Sequence, residues 1–268
     1  MGKKFVLSIV CVVAFLIAQA QSHFAEEHEI TSKGTIKMKG QLPKDPVDPE
    51  HPEKPVDPGP GPSTDGLLRF DFAPKLKFGH NKITKTDRKF YANAQLFHDG
   101  TEARGNYIQV TDSRPGIKGW ELQVRQEQQF TTLEGAKSTE KELKGASLSF
   151  DNIWVNSVTS SLDTAPEISK DTIMVDKQAT TFPLATAQSG QGKGQWVIIF
   201  GASQSNPRNQ KVTLEPKVDE FGTPVLDSEF ENQQVYDNHS IFLTVPNETN
   251  IQAVQYQTEL TWVLAELP

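Results

Sequence analysis

Two short triplets carry most of the chemistry legible in this chain: Trp120-Glu121-Leu122 and Trp262-Val263-Leu264. In an extended strand, residues two apart share a face, so each Trp lies beside its own Leu. An indole beside an isobutyl group can do one of two things. It can fill a core, or it can form a surface shelf on which sugar rings or peptide side chains stack. Trp154 and Trp196 are further aromatic candidates for such a shelf. The run Ser189-Gly190-Gln191-Gly192-Lys193-Gly194 places a Lys among alternating glycines, as phosphate loops do. It lacks a Ser or Thr after the Lys, and Gln195-Trp196 opens a strand-like stretch where a phosphate loop would open a helix. It reads as a turn feeding that strand.

The remaining polar residues do not assemble a catalytic pattern. His23, His28 and His51 fall in polar or Pro-rich text, and His80, His98 and His239 stand far apart beside turn residues. Neither a His-Glu-x-x-His zinc signature nor a Gly-x-Ser-x-Gly elbow occurs, nor does a calcium loop with ligands at alternate positions. The expectation is a protein that is not an enzyme and that uses no cofactor and no metal.

The elements that would position the triplets are strands. From Leu67 onward apolar residues alternate: Phe70 with Phe72, Leu76 with Phe78, Ile108 with Val110, and Trp120, Leu122 and Val124. Leu148 and Phe150 continue the pattern, followed by Trp196, Ile198 and Phe200, with Val197 and Ile199 on the opposite face. Val212 with Leu214, then Phe242, Leu243 and Val245, precede a last run from Val254 to Leu264 that keeps one apolar face. Period two marks strands with a buried face, and turn formers at Asp99-Gly100, Arg114-Pro115-Gly116 and Ser205-Asn206-Pro207 separate them. The segment 134–145 has helix-favouring residues but no apolar stripe, and reads as a loop. The fold class expected is all-β, a β-sandwich with irregular insertions, the stretch 151–195 being the hardest to place.

Ahead of this domain, 67–268, the chain divides into three parts. Lys3 and Lys4 precede an apolar run of thirteen positions broken only by Ser8, Phe5 to Ile17, and then Ala18-Gln19-Ala20. That is the pattern of a secretory signal peptide over 1–20, and it is too short to span a bilayer comfortably. Residues 21–40 form a polar leader. Residues 41–66 hold eight prolines and six acidic residues, which predicts an extended, semi-rigid spacer unable to join a sheet. The one cysteine, Cys11, lies within the apolar run, so thiol chemistry is excluded from the rest of the chain. With 27 basic against 34 acidic residues the net charge is −7, which argues against nucleic acid or an anionic polymer held by charge alone.

The order of these segments resembles the WxL-domain cell-surface proteins of low-GC Gram-positive bacteria. The resemblance rests on Leu67-Leu68-Arg69-Phe70-Asp71-Phe72, then Leu76-Lys77-Phe78-Gly79, and on Val110-Thr111-Asp112-Ser113-Arg114 leading to Gly119-Trp120-Glu121-Leu122. Phe130-Thr131, Leu143-Lys144-Gly145-Ala146, Leu148-Ser149-Phe150, the glycine run and Leu260-Thr261-Trp262-Val263-Leu264 complete it. The likeness implies a secreted protein held non-covalently at the cell wall. Its ligand would be peptidoglycan or an attached wall polymer, with Trp120, Leu122, Trp262 and Leu264 as motif residues in either the core or the contact surface. It also implies other exported surface proteins of the same cluster as partners, or host extracellular matrix, and no nucleic acid. The alternative is a structural subunit of an extracellular complex, attached through its partners.

Overall fold

Alternating side chains and frequent turn formers leave the chain little choice but strands. The computed structural model describes residue 42 and residues 44–133 and 141–268, and its only helical pieces there are two single 3₁₀ turns. The expected signal peptide and polar leader, and residues 134–140 of the expected loop, lie outside the described residues. In chain order the strands are β1 (Leu68–Phe72), β2 (Lys89–Asn93), β3 (Asn106–Asp112), β4 (Trp120–Gln126), β5 (Thr131–Thr132), β6 (Ser147–Phe150), β7 (Ile153–Asn156), β8 (Glu167–Ile168) and β9 (Ile173–Val175). They continue with β10 (Thr181–Ala187), β11 (Gly194–Phe200), β12 (Leu214–Pro216), β13 (Leu226–Asp227), β14 (Gln233–Gln234), β15 (Tyr236–Thr244), β16 (Tyr256–Gln257) and β17 (Leu260–Glu266).

Antiparallel pairing arranges them as an all-β, sandwich-like fold. One sheet runs β1-β3-β11-β7, a second β17-β4-β10-β8, and a third β12-β15-β6-β9 with β2 also on β15. The main core lies between them. Ile108, Val110, Trp196, Ile198 and Phe200 from the first sheet meet Trp120, Leu122 and Val124 from the second and Leu148, Phe150 and Ile241 from the third. On β4 burial alternates residue by residue, as a strand with one wet face should. On β11 every residue from Gln195 to Phe200 is buried, so the first sheet must be covered on both faces.

The second cover is the 47–56 part of the Pro-rich segment: within the extended, semi-rigid spacer expected over 41–66, this part lies packed on the sheet, while residues 60–66 are exposed. Val56 and Val47 pack with Phe72, Phe97, Tyr107, Trp154, Val197 and Ile199 on the outer face of that sheet. Asp48 and Glu50 are buried there, 2% and 1% exposed. The Arg104 guanidinium donates to both Asp48 oxygens, at 3.0 and 3.1 Å. Glu50 accepts from the Ser203 amide and hydroxyl at 2.7 and 2.6 Å, and Asn156 donates to the carbonyls of Pro49 and Glu50. Burial by itself would lower the pKa of Arg104, but its hydrogen bonds and ion pairing with Asp48 leave it above its ordinary value. Proline keeps the segment out of any ladder, apart from one isolated bridge between Val47 and Pro55. The same lack of N–H groups leaves fewer donors to satisfy when it is buried, so it can lie flat on an apolar face.

Two further expectations change. Leu76 and Phe78 are not in a strand, although both pack half-buried against the core. The expected single strand from Val254 to Leu264 breaks at Thr258-Glu259 into β16 and β17. There Thr258 donates to the Gln128 carbonyl at 2.5 Å and accepts from Gln126 at 3.0 Å.

Candidate functional site

The two triplets, separated by most of the domain in sequence, lie on neighbouring strands. β17 pairs antiparallel with β4 so that Leu264 faces Leu122, Trp262 faces Val124 and Glu266 faces Trp120. Directly opposed residues of an antiparallel pair share a face, so both tryptophans and both leucines point inward. Trp120 and Leu122 are fully buried. Trp262 and Leu264, on the edge strand, are half-buried against the same core. The Trp262 ring meets Phe150 edge-on, with centroids 5.9 Å apart at 71°.

The indole N–H of each fully enclosed tryptophan donates to a main-chain carbonyl: Trp120 to Gly192 at 2.9 Å, Trp196 to Lys193 at 2.9 Å and Trp154 to Gly201 at 2.8 Å. Those three aromatic candidates therefore present no ring to solvent. The glycine run is a turn, as read, but a pinned one. Its Gly192 has φ +70°, and a Cβ there would stand 2.5 Å from Trp120 Nε1, so only glycine lets the loop close over the indole. Lys193 is held by the Arg114 carbonyl and faces Asp112 at 3.7 Å, which removes it as a phosphate ligand.

With Trp and Leu inward, the residues between and beside them must point outward. On β4 these are Glu121, Gln123 and Arg125, all partly exposed. The register sets Thr261, Arg125 and Thr181 in one row across β17, β4 and β10. Val263, Gln123 and Pro183 form the next, and Ala265, Glu121 and Thr186 the third. The middle residue of each triplet, Glu121 or Val263, is thus part of one outward face. Thr186 donates to Glu121 at 3.2 Å, and Gln123 donates to the same carboxylate. Arg125 bridges to Glu127 at 2.7 Å, and Thr261 donates to Glu127. Those hydrogen bonds, Arg125's first, hold the Glu127 carboxyl below its usual range. At the end of β17, in the row of Trp120 and not of the outward side chains, Lys118 reaches Glu266 at 2.7 Å and keeps its carboxyl low in the same way.

The result is a polar platform of hydroxyl, amide, carboxylate and guanidinium groups, interrupted by small apolar side chains. It can hydrogen-bond to a polymer laid across it. Among the described residues no cluster of His, Cys, Asp or Glu could hold a metal ion. The described histidines are dispersed: His98 stacks on Phe230 and His239 on Tyr91.

A family model described as WxL domain, surface cell wall-binding, matches residues 25–268. The chain belongs to the WxL family. The WxL match begins well before Leu67 and takes in the whole Pro-rich segment, in keeping with the packing of that segment on the sheet. No curated protein and no solved structure matches the chain. The WxL domain is a cell wall-binding domain of the cell surface, and in this chain its name-giving residues are the inner supports of an outward face. Sequence reasoning placed the triplets on strands but missed that they adjoin. The available signal was the middle position of each triplet, which period two sends outward.

Proposed function

We propose that this WxL domain binds peptidoglycan non-covalently through the outward face of β17, β4 and β10. The observation that carries this reading is the register that sets both triplets side by side with their Trp and Leu inward. A face held by buried anchors on three strands keeps its donors and acceptors in fixed positions, which reduces the ordering entropy lost on binding. The test is sedimentation of purified protein with partner-free sacculi, before and after removal of attached wall polymers. Gln123→Ala and Val263→Arg alter only outward side chains, so both stay folded by circular dichroism and both reduce co-sedimentation. Pelleting of the two variants like wild type would move the contact away from this face. Export by the 1–20 segment, with cleavage after Ala20, belongs to the same reading and is checked by N-terminal sequencing of surface-extracted protein.

A specific feature favours the second reading, a subunit of an extracellular complex. Phe221 is 85% exposed at the tip of a turn. Asp219 fixes that turn by accepting from the amides of Phe221 and Thr223, both at 2.8 Å, and Val218 and Leu226 nearby are exposed as well. A rigidly presented aromatic is the anchor type found in protein interfaces. Asp219 and Glu220 beside it suit a partner whose apolar pocket carries a basic rim, on another exported protein or a host matrix protein. Attachment only to cells that retain such a partner, with none to bare sacculi, would make this the primary reading.

A further inference from the structure

Away from the triplet face, a groove of about 820 Å³ opens between the 96–103 segment, the 203–205 loop and the start of β15. Its volume lies in the range of small-molecule and oligosaccharide sites, and it shares no residue with the rows on β17, β4 and β10. The floor is apolar, with buried Leu96, Ala103 and Leu214. The sides are polar, and their construction is specific.

One side is assembled by buried ions. Arg104, clamped by Asp48, also reaches the Ser203 and Ser205 hydroxyls, each at 3.4 Å. Ser203 donates to buried Glu50, Ser205 donates to Glu102 at 3.0 Å, and the two hydroxyl oxygens stand 3.1 Å apart. The Ser203 hydroxyl is thus committed within the protein, donating to Glu50 and accepting from Arg104 and the Ser205 amide, while Ser205 orients the exposed Glu102 carboxylate, which with Glu231 supplies acceptors to the groove. Gln204 between them is exposed, and the groove-lining Thr101 side chain is hydrogen-bonded to Asp99. On the opposite side the amide nitrogens of Gln233 and Gln234 donate to the main chain, to Phe97 at 2.7 Å and to Val235 at 2.7 Å. Their amide oxygens remain as acceptors beside the partly exposed Tyr236 ring.

The charge of the lining selects among ligands. Glu102 and Glu231 line the groove and no Lys or Arg does, so phosphate- or carboxylate-bearing polymers are repelled. Acceptor-rich walls, an apolar floor and one tyrosine ring match a ligand with many hydroxyl donors and apolar C–H faces. We infer that this groove binds a short stretch of neutral saccharide, at a second site beyond the wall-binding face.

Titration of the full protein by calorimetry tests it, with N-acetylglucosamine tetramer and cellotetraose as neutral probes and polygalacturonate as the anionic comparator. At least one neutral tetramer binds, and polygalacturonate binds more weakly or not at all. Thr101→Trp, which fills the groove, and Gln204→Ala each weaken that binding by about tenfold or more. Val263→Arg on the triplet face leaves it unchanged. Glu50→Gln, which loosens the Ser203 anchor, weakens it less than Thr101→Trp does. The inference fails if neither neutral tetramer binds at millimolar concentration, if folded Thr101→Trp binds like wild type, or if the anionic polymer binds best. Sacculus pelleting of the same variants separates the two sites: loss there with Val263→Arg alone bears on the wall-binding reading and not on the groove.

Discussion

The two tryptophans of the triplets share a motif position but not an environment, so their removal should have unequal effects. Trp120 is wholly enclosed. Burying roughly 150–250 Å² of indole at about 25 cal/mol per Å² gives about 4–6 kcal/mol for Trp120→Ala. The cavity series for large aromatic truncation, about 3–5 kcal/mol, agrees. The Gly192 carbonyl would also lose its indole donor, a penalty of about 1–3 kcal/mol when no water replaces it. Trp262 is half-buried on an edge strand, so about half the area, roughly 2–3 kcal/mol, is at stake. Against a total stability of about 5–15 kcal/mol, Trp120→Ala lies at the edge of unfolding while Trp262→Ala remains folded. Urea unfolding followed by circular dichroism measures both, provided the slope against denaturant is unchanged. Trp120→Phe isolates the lost hydrogen bond from most of the lost volume. Equal losses for the two alanine variants, or a larger loss for Trp262→Ala, would refute the assignment of Trp120 as the principal anchor. A wall-binding defect in Trp120→Ala would then need another explanation than unfolding.

Two other perturbations test the Pro-rich cover. The Tyr107 hydroxyl is buried beneath it without a hydrogen-bond partner, so Tyr107→Phe should stabilise the protein by about 1 kcal/mol in the same urea assay. Burial, reinforced by Asp48 and Asp99, raises the Tyr107 pKa well above its ordinary value. The unfolded chain therefore loses that proton first, near pH 10, and stability falls as pH rises beyond that point; in Tyr107→Phe that part of the alkaline slope should vanish. Arg104→Met leaves Asp48 and Glu50 buried without their cation and should cost about 3–5 kcal/mol, whereas adding Asp48→Leu and Glu50→Leu to it should recover much of the loss. Equal stability of the single and triple variants would show that the carboxylates are not held by Arg104.

What could be read in advance follows the range of the forces involved. Alternation on β3, β4 and β11 is local, and it predicted strands and a sandwich from neighbouring residues alone. The Pro-rich cover was missed because Asp48 and Arg104 are 56 residues apart, and composition reports nothing about a charge neutralised at that distance. A sign was nevertheless present: Val197 and Ile199 make β11 apolar on both faces, and a strand at the wet surface of a sandwich needs only one. The break between β16 and β17 was hidden for a different reason. Apolar period two resumed in phase on either side of Thr258 and Glu259, but hydrogen bonds between Thr258 and the 126–128 segment outweighed it there.

The same distinction bears on how buried residues can mark a binding function. A side chain at a contact surface must suit its ligand, whereas one beneath the surface must suit only its neighbours. Trp120 and Leu122 are confined by the core, by Gly192 and by the opposed Leu264. Glu121, Gln123 and Val263 have solvent on one side and can change without loss of the fold. A Trp-x-Leu pair on adjoining strands therefore fixes where an outward row of side chains stands and leaves open what that row recognises. On this argument, exchanging the outward residues of β4 and β17 changes the ligand at constant stability. Exchanging the inward ones changes stability and only thereby removes binding.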